Sequence, residues 1–109
     1  MKKYPLGEFE EIVLLTVGVL FDEAYGVTIK DLIEKRLDRK VSVGALQSAL
    51  RRMEQKGYLV SRYGEKTKER GGKRKRYFMI TAYGKKVLTY TREVRNNLWD
   101  DIPDVALDF

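Results

Sequence analysis

The chain has 109 residues and a formal net charge of +6, from 22 Lys and Arg against 16 Asp and Glu. This length fits one domain of roughly 100–150 residues, and the 43% of hydrophobic residues suffices for a packed core. There is no Cys and no His, which excludes thiol catalysis, disulfides, histidine acid–base chemistry and nearly all zinc sites.

The most apolar segment is too short for a membrane span. It covers residues 12–21, whereas a spanning helix needs ~20 apolar residues. The first residues also lack the apolar core of a signal peptide. We therefore expect a cytoplasmic protein that contacts no membrane and holds no metal and no cofactor.

The positive charge is concentrated in residues 62–77. Eight cations face two glutamates there, so this segment alone carries the whole net charge of +6. The eight cations are Arg62, Lys66, Lys68, Arg70, Lys73, Arg74, Lys75 and Arg76. A solvated surface and a nucleic-acid contact both fit such a run, and the neighbouring elements decide between them.

The first predicted helix, residues 6–21, is apolar nearly all round. Such a helix is buried on more than one face, and a chain this small has one core. We therefore expect its second face to contact another copy of the chain. Phe9 and Ile12 are the residues predicted for that interface.

Two shorter helices follow. The second is predicted to begin at Thr28, with Asp31 in a capping box and Val27 packed on Leu32 as a hydrophobic staple. Ser42 is a favourable N-cap for the third helix, which Gly57 ends.

The third helix has two distinct faces. Its inner face is apolar and consists of Val43, Leu46, Ala49, Leu50 and Met53. Its outer stripe is short-chained near the start and cationic in the middle, unlike an ordinary solvated helix. The candidate contact residues on and beside this stripe are Ser42, Gly44, Gln47, Ser48, Arg51 and Arg52.

A β-hairpin is predicted next, with strands at residues 58–63 and 74–81 around a glycine-rich, charged turn. Its candidate ligand-binding cations are Arg70, Lys73, Arg74, Lys75 and Arg76.

Thr81 is predicted to cap a last helix that runs to about residue 101. At 1.5 Å per residue this helix is a rod of roughly 30 Å, long enough to project beyond the domain and pair with a second copy. The predicted dimer interface consists of Phe9, Ile12, Val87, Tyr90, Val94, Leu98 and Trp99. The tail that follows is acidic through Asp100, Asp101, Asp104 and Asp108.

This order of elements predicts a mainly α fold with a small β-hairpin. It corresponds to a winged helix-turn-helix at residues 1–80, continued by a dimerisation helix and acidic tail at 81–109, in one continuous domain. An α-helix fits the major groove of duplex DNA, where Gln47 can pair with adenine and Arg51 with guanine. The cations of the hairpin, or wing, would contact phosphates or the minor groove.

A second function class stays open beside DNA binding. A winged helix can also serve as a protein-interaction adaptor that does not bind duplex DNA. An enzyme is not predicted, because no serine has a histidine partner and the lysine-rich segment is exposed.

Several segments together resemble the PadR-like transcriptional regulators. They are LGEFE at residues 6–10, YG at 25–26, SVGALQSALRRME at 42–54, GYLV at 57–60, GGKRKRYF at 71–78 and TAYG at 81–84. The resemblance implies a bacterial, homodimeric regulator, most often a repressor, that binds a pseudo-palindromic operator. This chain departs from the family at Gln47, where members usually have a tyrosine.

The single C-terminal helix is similar to that of the compact members of the family. Some of these bind flat aromatic compounds between their dimer helices, with a tryptophan stacked on the ligand. The resemblance implies that Trp99, with Tyr90 and Phe9, could line such a pocket for a small aromatic effector. Packing within the dimer interface is the alternative role for these three side chains.

Overall fold

Within the described residues, 6–65 and 74–107, the computed structural model contains four α-helices and one antiparallel hairpin. The helices are α1 (Glu8–Leu20), α2 (Gly26–Leu37), α3 (Val43–Gln55) and α4 (Ala82–Asp100), and the strands are β1 (Leu59–Tyr63) and β2 (Arg76–Ile80). This arrangement confirms the predicted fold class. None of the described helices is long and apolar enough to cross a membrane.

The start of α2 differs from the prediction. The helix begins at Gly26, two residues before Thr28, because the Thr28 hydroxyl accepts a hydrogen bond from the Tyr25 N–H at 3.0 Å. The same hydroxyl donates to the Glu23 carbonyl at 2.6 Å. Val27 lies inside the helix and not before its N-cap, so it cannot form the predicted hydrophobic staple.

The start and end of α3 confirm the prediction. The Ser42 hydroxyl accepts from the Ala45 N–H at 3.1 Å, and Gly57 adopts the positive φ of 85° that lets the chain leave the helix. Leu46, Ala49 and Leu50 are buried. Val43, which was predicted for the apolar face, is exposed because it occupies the first turn.

One hydrophobic core joins all the elements. Its fully buried side chains come from α1, α2, α3, the hairpin and the first half of α4, and the largest are Leu14, Ile29, Ile33, Leu46, Leu50, Met53 and Leu59. Val87 of α4 is also fully buried here. We predicted Val87 at a dimer interface, but its side chain has no exposed surface and belongs to the core of its own chain.

The hairpin pairs Leu59 with Ile80 at one end and Tyr63 with Arg76 at the other. On its outer edge, the Phe78 N–H donates to the Ala24 carbonyl at 2.8 Å, so the chain before α2 acts as a third, very short strand. The hairpin is therefore tied both to the end of α3 and to the start of α2.

Helix α4 begins as predicted, with the Thr81 hydroxyl accepting from the Gly84 N–H at 2.9 Å. Its first half packs on α1 and β2, whereas residues 92–100 are all exposed. The described chain measures 61 × 33 × 21 Å because of this projecting helix. A short 3₁₀ turn, Asp104–Leu107, follows it and was not predicted.

Candidate nucleic-acid interface

The outer face of α3 presents the predicted stripe. Gly44, Gln47 and Arg51 are exposed, and Ser48 is half-buried. Gln47 lies beside the start of α2, since a Cβ atom at Gly26 would be 3.4 Å from its Nε2. The amide and guanidinium of this stripe are the groups that pair with base edges in a major groove.

Two neighbouring arginines of α3 have different surroundings. Arg52 Nε donates to Glu10 Oε2 of α1 at 2.9 Å, whereas no carboxylate among the described residues pairs with Arg51. Arg52 is also a predicted DNA contact, and in the single chain its half-exposed guanidinium is paired with α1. Arg51 is available to a ligand.

Glu10, the partner of Arg52, is only 8% exposed. Burial by itself raises the pKa of this carboxyl, but the hydrogen bonds from Arg52 and from the Gly7 N–H outweigh it. The resulting pKa lies below the ordinary value of 4.5. The α1–α3 ion pair is therefore complete at neutral pH.

The base of the wing carries two further cations. Arg74 is exposed, and Lys75 Nζ donates to the Tyr25 hydroxyl at 3.2 Å while lying 4.4 Å from the centre of the Tyr25 ring. The predicted contacts Arg70 and Lys73 lie outside the described residues.

Arg76 lies on β2, and its guanidinium bonds within the chain. Its Nη2 donates to Glu54 Oε1 of α3 at 2.8 Å, and its Nε donates to Ser61 Oγ of β1 at 2.9 Å. This arginine was predicted as a backbone contact. In the single chain its guanidinium is paired with α3 and β1, while the side chain stays 47% exposed.

Arg62 is a surface cation that the predicted contact set omitted. It is exposed on β1, with its guanidinium 5.0 Å from the centre of the Tyr77 ring. Tyr77 packs edge-on against Tyr25 at 5.3 Å between ring centres. Strand alternation could have found Arg62, because it lies on the opposite face of β1 from the buried Leu59 and the half-buried Ser61.

The sequence model of the transcriptional regulator PadR-like family matches residues 14–90. The chain belongs to this family. PadR-like proteins are DNA-binding transcriptional regulators and not enzymes, so the predicted family and function class are confirmed. No curated protein matches the chain.

Solved structures agree with this assignment. A transcriptional regulator from Clostridium thermocellum is 28% identical over 86% of this chain and 92% of its own, with a TM-score of 0.67. A PadR family regulator from Clostridium difficile is 27% identical over 82% and 91%, with a TM-score of 0.62. A PadR-like regulator from Bacillus cereus, 18% identical over 93% and 92%, has the same fold with a TM-score of 0.72.

The remaining predicted residues of this PadR-like regulator lie along α1 and α4. Phe9, Ile12 and Tyr90 are half-buried. The more distal residues of α4 are exposed, and they are Val94, Leu98 and Trp99. An open groove of about 380 Å³ between α1 and α4 is lined by other side chains, among them Leu15, Leu88 and Arg92.

No group of acidic side chains within residues 6–65 and 74–107 is arranged to hold a metal ion.

Proposed function

We propose that this PadR-like regulator is a cytoplasmic homodimeric repressor that places α3 in the major groove of a pseudo-palindromic operator. The supporting observation is a convergence at the start of α2. Gln47 of α3 lies beside Gly26, and Lys75 of the wing bonds to the adjacent Tyr25. The base-reading helix and the wing therefore meet at one surface, which a single duplex can contact.

The side chains of α3 divide into readers and spacers. Gln47 pairs with adenine and Arg51 with guanine, and each good bidentate pair contributes about 1–3 kcal/mol of discrimination. Ser42, Gly44 and Ser48 have small side chains that let the helix backbone approach the groove. Because Gln47 replaces the tyrosine usual at this position, the operator should differ from the one that most of the family recognises.

The wing supplies affinity that does not depend on sequence. Arg74 and Lys75 contact phosphates, and so does Arg62, whose guanidinium lies against Tyr77 of β2. The predicted contacts Arg70 and Lys73 join this set on the basis of their charge alone. Cations of this kind release counterions from DNA when they bind, which makes affinity fall steeply with salt.

The exposed end of α4 supports the proposed homodimer. Val94, Leu98 and Trp99 are apolar and exposed in the single chain, and a second copy related by a two-fold axis would cover them with Phe9, Ile12 and Tyr90. The same symmetry places two α3 helices on half-sites about one helical turn, ~34 Å, apart.

We propose that Trp99, Tyr90 and Phe9 all lie in the dimer interface. If a small aromatic effector enters between the subunits, planar aromatic compounds will quench the fluorescence of Trp99, the single tryptophan of the chain. Unchanged fluorescence across a broad panel of such compounds would mean that the three side chains only pack together.

DNA binding is tested by titrating the protein with a duplex from the promoter of its own gene at several salt concentrations. Three to four phosphate contacts per subunit give a slope of log K against log salt of about −5 to −7. Arg51→Ala or Gln47→Ala should relax sequence preference, whereas Arg74→Ala should weaken all sequences equally. Lys86→Ala, on the exposed surface of α4, is the matched control for loss of a cation and should change neither property.

The adaptor hypothesis predicts the opposite result. If the protein shows no salt-sensitive retention on any duplex but forms a stable complex with an acidic protein, the operator-binding proposal is wrong.

A further inference from the structure

Arg76 ends the basic run of the sequence, and its half-exposed side chain lies on the face of the hairpin that packs against α3. Strand alternation places Arg76 on the same face of β2 as the buried Phe78, and the register places Ser61 and Tyr63 of β1 on that face too. The guanidinium carbon is 5.6 Å from the centre of the Tyr63 ring and 5.7 Å from that of Phe78. Two aromatic rings thus fix the position of this side chain in the hairpin.

Glu54 of α3 uses both carboxylate oxygens on the hairpin. Its Oε1 accepts from Arg76 Nη2 at 2.8 Å, and its Oε2 accepts from the Ser61 hydroxyl at 2.6 Å. The Ser61 oxygen in turn accepts from Arg76 Nε at 2.9 Å. These three bonds close a ring that joins α3, β1 and β2.

A carboxylate at this place is unfavourable for a surface that approaches phosphates, because like charges repel. Glu54 lies on α3, three residues from Arg51, and its side chain is partly exposed. The ion pair with Arg76 neutralises its charge. The pair as a whole therefore brings no net cation to the DNA. The planar guanidinium instead reaches two different partners, Glu54 through Nη2 and Ser61 through Nε.

We propose that Arg76 is a positioning residue and not a phosphate contact: with Glu54 and Ser61 it fixes the angle between the wing and α3, so that both engage one duplex. This proposal rests on the proposed DNA-binding function. It assigns Glu54, an acidic residue, a favourable effect on the affinity for a polyanion.

The sign of the Glu54 effect tests the proposal directly. Removing an anion beside DNA should tighten binding by electrostatics alone, but Glu54→Ala should weaken binding about tenfold through loss of two charge-assisted hydrogen bonds. Ser61→Ala, which changes no charge, should weaken binding about threefold. Glu93→Ala, on the exposed half of α4, is the control for loss of a carboxylate and should not weaken binding. Unchanged or tighter binding by Glu54→Ala would overturn the proposal.

The salt slope separates positioning from phosphate contact. Arg74→Ala should reduce the steepness of the slope by about 0.9 for each lost contact, whereas Arg76→Ala should lower affinity with the slope unchanged. Arg76→Lys keeps the charge but loses the planar fork, so its affinity should fall about as far as that of Ser61→Ala. Full affinity in Arg76→Lys, or a slope change in Arg76→Ala equal to that of Arg74→Ala, would mean that Arg76 acts on DNA as a simple cation.

A charge exchange guards against variants that merely unfold. The double variant Glu54→Arg with Arg76→Glu restores an ion pair between α3 and β2, so it should bind more tightly than either single variant. Binding no tighter than that of the better-binding single variant would count against the proposal.

Hydrogen exchange in the free protein distinguishes this proposal from the proposed function. The amides of β2 should exchange several-fold faster in Glu54→Ala than in the native protein without any DNA. If the native protein binds no duplex but these amides still exchange faster, the DNA-binding proposal fails while the link between α3 and the wing stands. If they exchange at the native rate, the link itself is refuted.

Discussion

The two halves of α4 have the same kind of sequence and opposite surroundings. In the first half, Gly84 and Val87 are buried against α1 and the hairpin. In the second half, Val94, Leu98 and Trp99 continue the apolar pattern, but every residue from 92 to 100 is exposed. The periodicity of the sequence is continuous, whereas the surface that covers it ends midway along the helix.

The boundary between the halves is marked by an ion pair. Arg95 Nη2 donates to Glu11 Oε1 of α1 at 2.7 Å, and Glu11 is much the more buried partner. On the C-terminal side of this contact, the apolar side chains of α4 are exposed to water, so they do not stabilise the single chain. The first half of α4 therefore belongs to the core of the single chain, whereas the second half is the surface that the proposed homodimer would cover.

Two adjacent leucines of α1 should differ most in how much they stabilise the folded protein. Leu14 is fully buried, whereas Leu15 is 48% exposed. Leu14→Ala should lower the free energy of unfolding by about 2–5 kcal/mol, the cost of a cavity in the core. Leu15→Ala should lower it by less than about 1 kcal/mol. Denaturant unfolding at one fixed protein concentration measures the free energy of unfolding of both variants. Equal losses would mean that Leu14 is no more important to the core than Leu15.

Two glycines within helices should differ in the same way, because one is packed against backbone and the other against a side-chain tip. A Cβ atom at Gly84 of α4 would be 2.2 Å from the Tyr58 carbonyl oxygen, whereas one at Gly18 of α1 would approach only the Ile80 methyl group, at 3.0 Å. Backbone cannot move aside as a side-chain tip can. Gly84→Ala should therefore destabilise the protein by about 2–3 kcal/mol.

Gly18→Ala is the matched control, and it should be nearly neutral because alanine also favours the helix. The unfolding free energies of both variants decide the matter. A loss of stability in Gly18→Ala as large as that in Gly84→Ala would mean that Gly84 in α4 is no more tightly packed than Gly18 in α1.

Local signals in the sequence predict much of this arrangement. Ser42 and Thr81 start their helices as expected, because an N-cap depends on residues within one turn. The start of α2 was missed, since Thr28 caps backwards onto Tyr25 instead of forward onto Asp31. That choice depends on the chain before α2 pairing with β2, which no local pattern contains.

The candidate site was predictable in composition but not in geometry. The outer stripe of α3 follows from helical periodicity, which predicts that Gln47 and Arg51 are exposed, as they are in the structure. The partners of Arg52 and Arg76 could not be predicted, because a sequence shows charge without showing which groups pair. Glu10 lies 42 positions from Arg52 and Glu54 lies 22 from Arg76, and only the packing of α1, α3 and the wing brings these pairs together.

The exposed half of α4 is tested by removing its largest apolar side chain. Trp99 is 63% exposed in the single chain, so Trp99→Ala should barely change the stability of the folded protomer. If the proposed homodimer covers it, its dissociation constant should rise about 10- to 30-fold, the effect of truncating an aromatic interface residue. Light scattering over a range of concentrations measures this change. Arg92→Ala, in the same half of α4, is a control for the helix itself. A dimer that tolerates Trp99→Ala fully would move the interface elsewhere.

The last prediction concerns stability in acid. It depends on Glu10, where α1 packs against α3. Glu10 has a pKa below its ordinary value of 4.5, because hydrogen bonds from Arg52 and the Gly7 N–H outweigh its burial. The folded state therefore stabilises the ionised form of Glu10 more than the unfolded state does. This contribution is fully present above pH 4.5 and is lost as the pH falls through the lower pKa of the folded state.

Glu10→Gln should accordingly cost about 1 kcal/mol at neutral pH and should flatten the fall of stability below pH 4.5. Part of the fall should remain, because the Val41 N–H and Lys30 lower the pKa of Glu34 in the same direction. Glu93→Gln, on the exposed half of α4, is the matched control for loss of a carboxylate. Unfolding measured at a series of pH values compares the three proteins. If Glu10→Gln and Glu93→Gln behaved alike, the ion pair between α1 and α3 would contribute no more than a charge on the exposed half of α4.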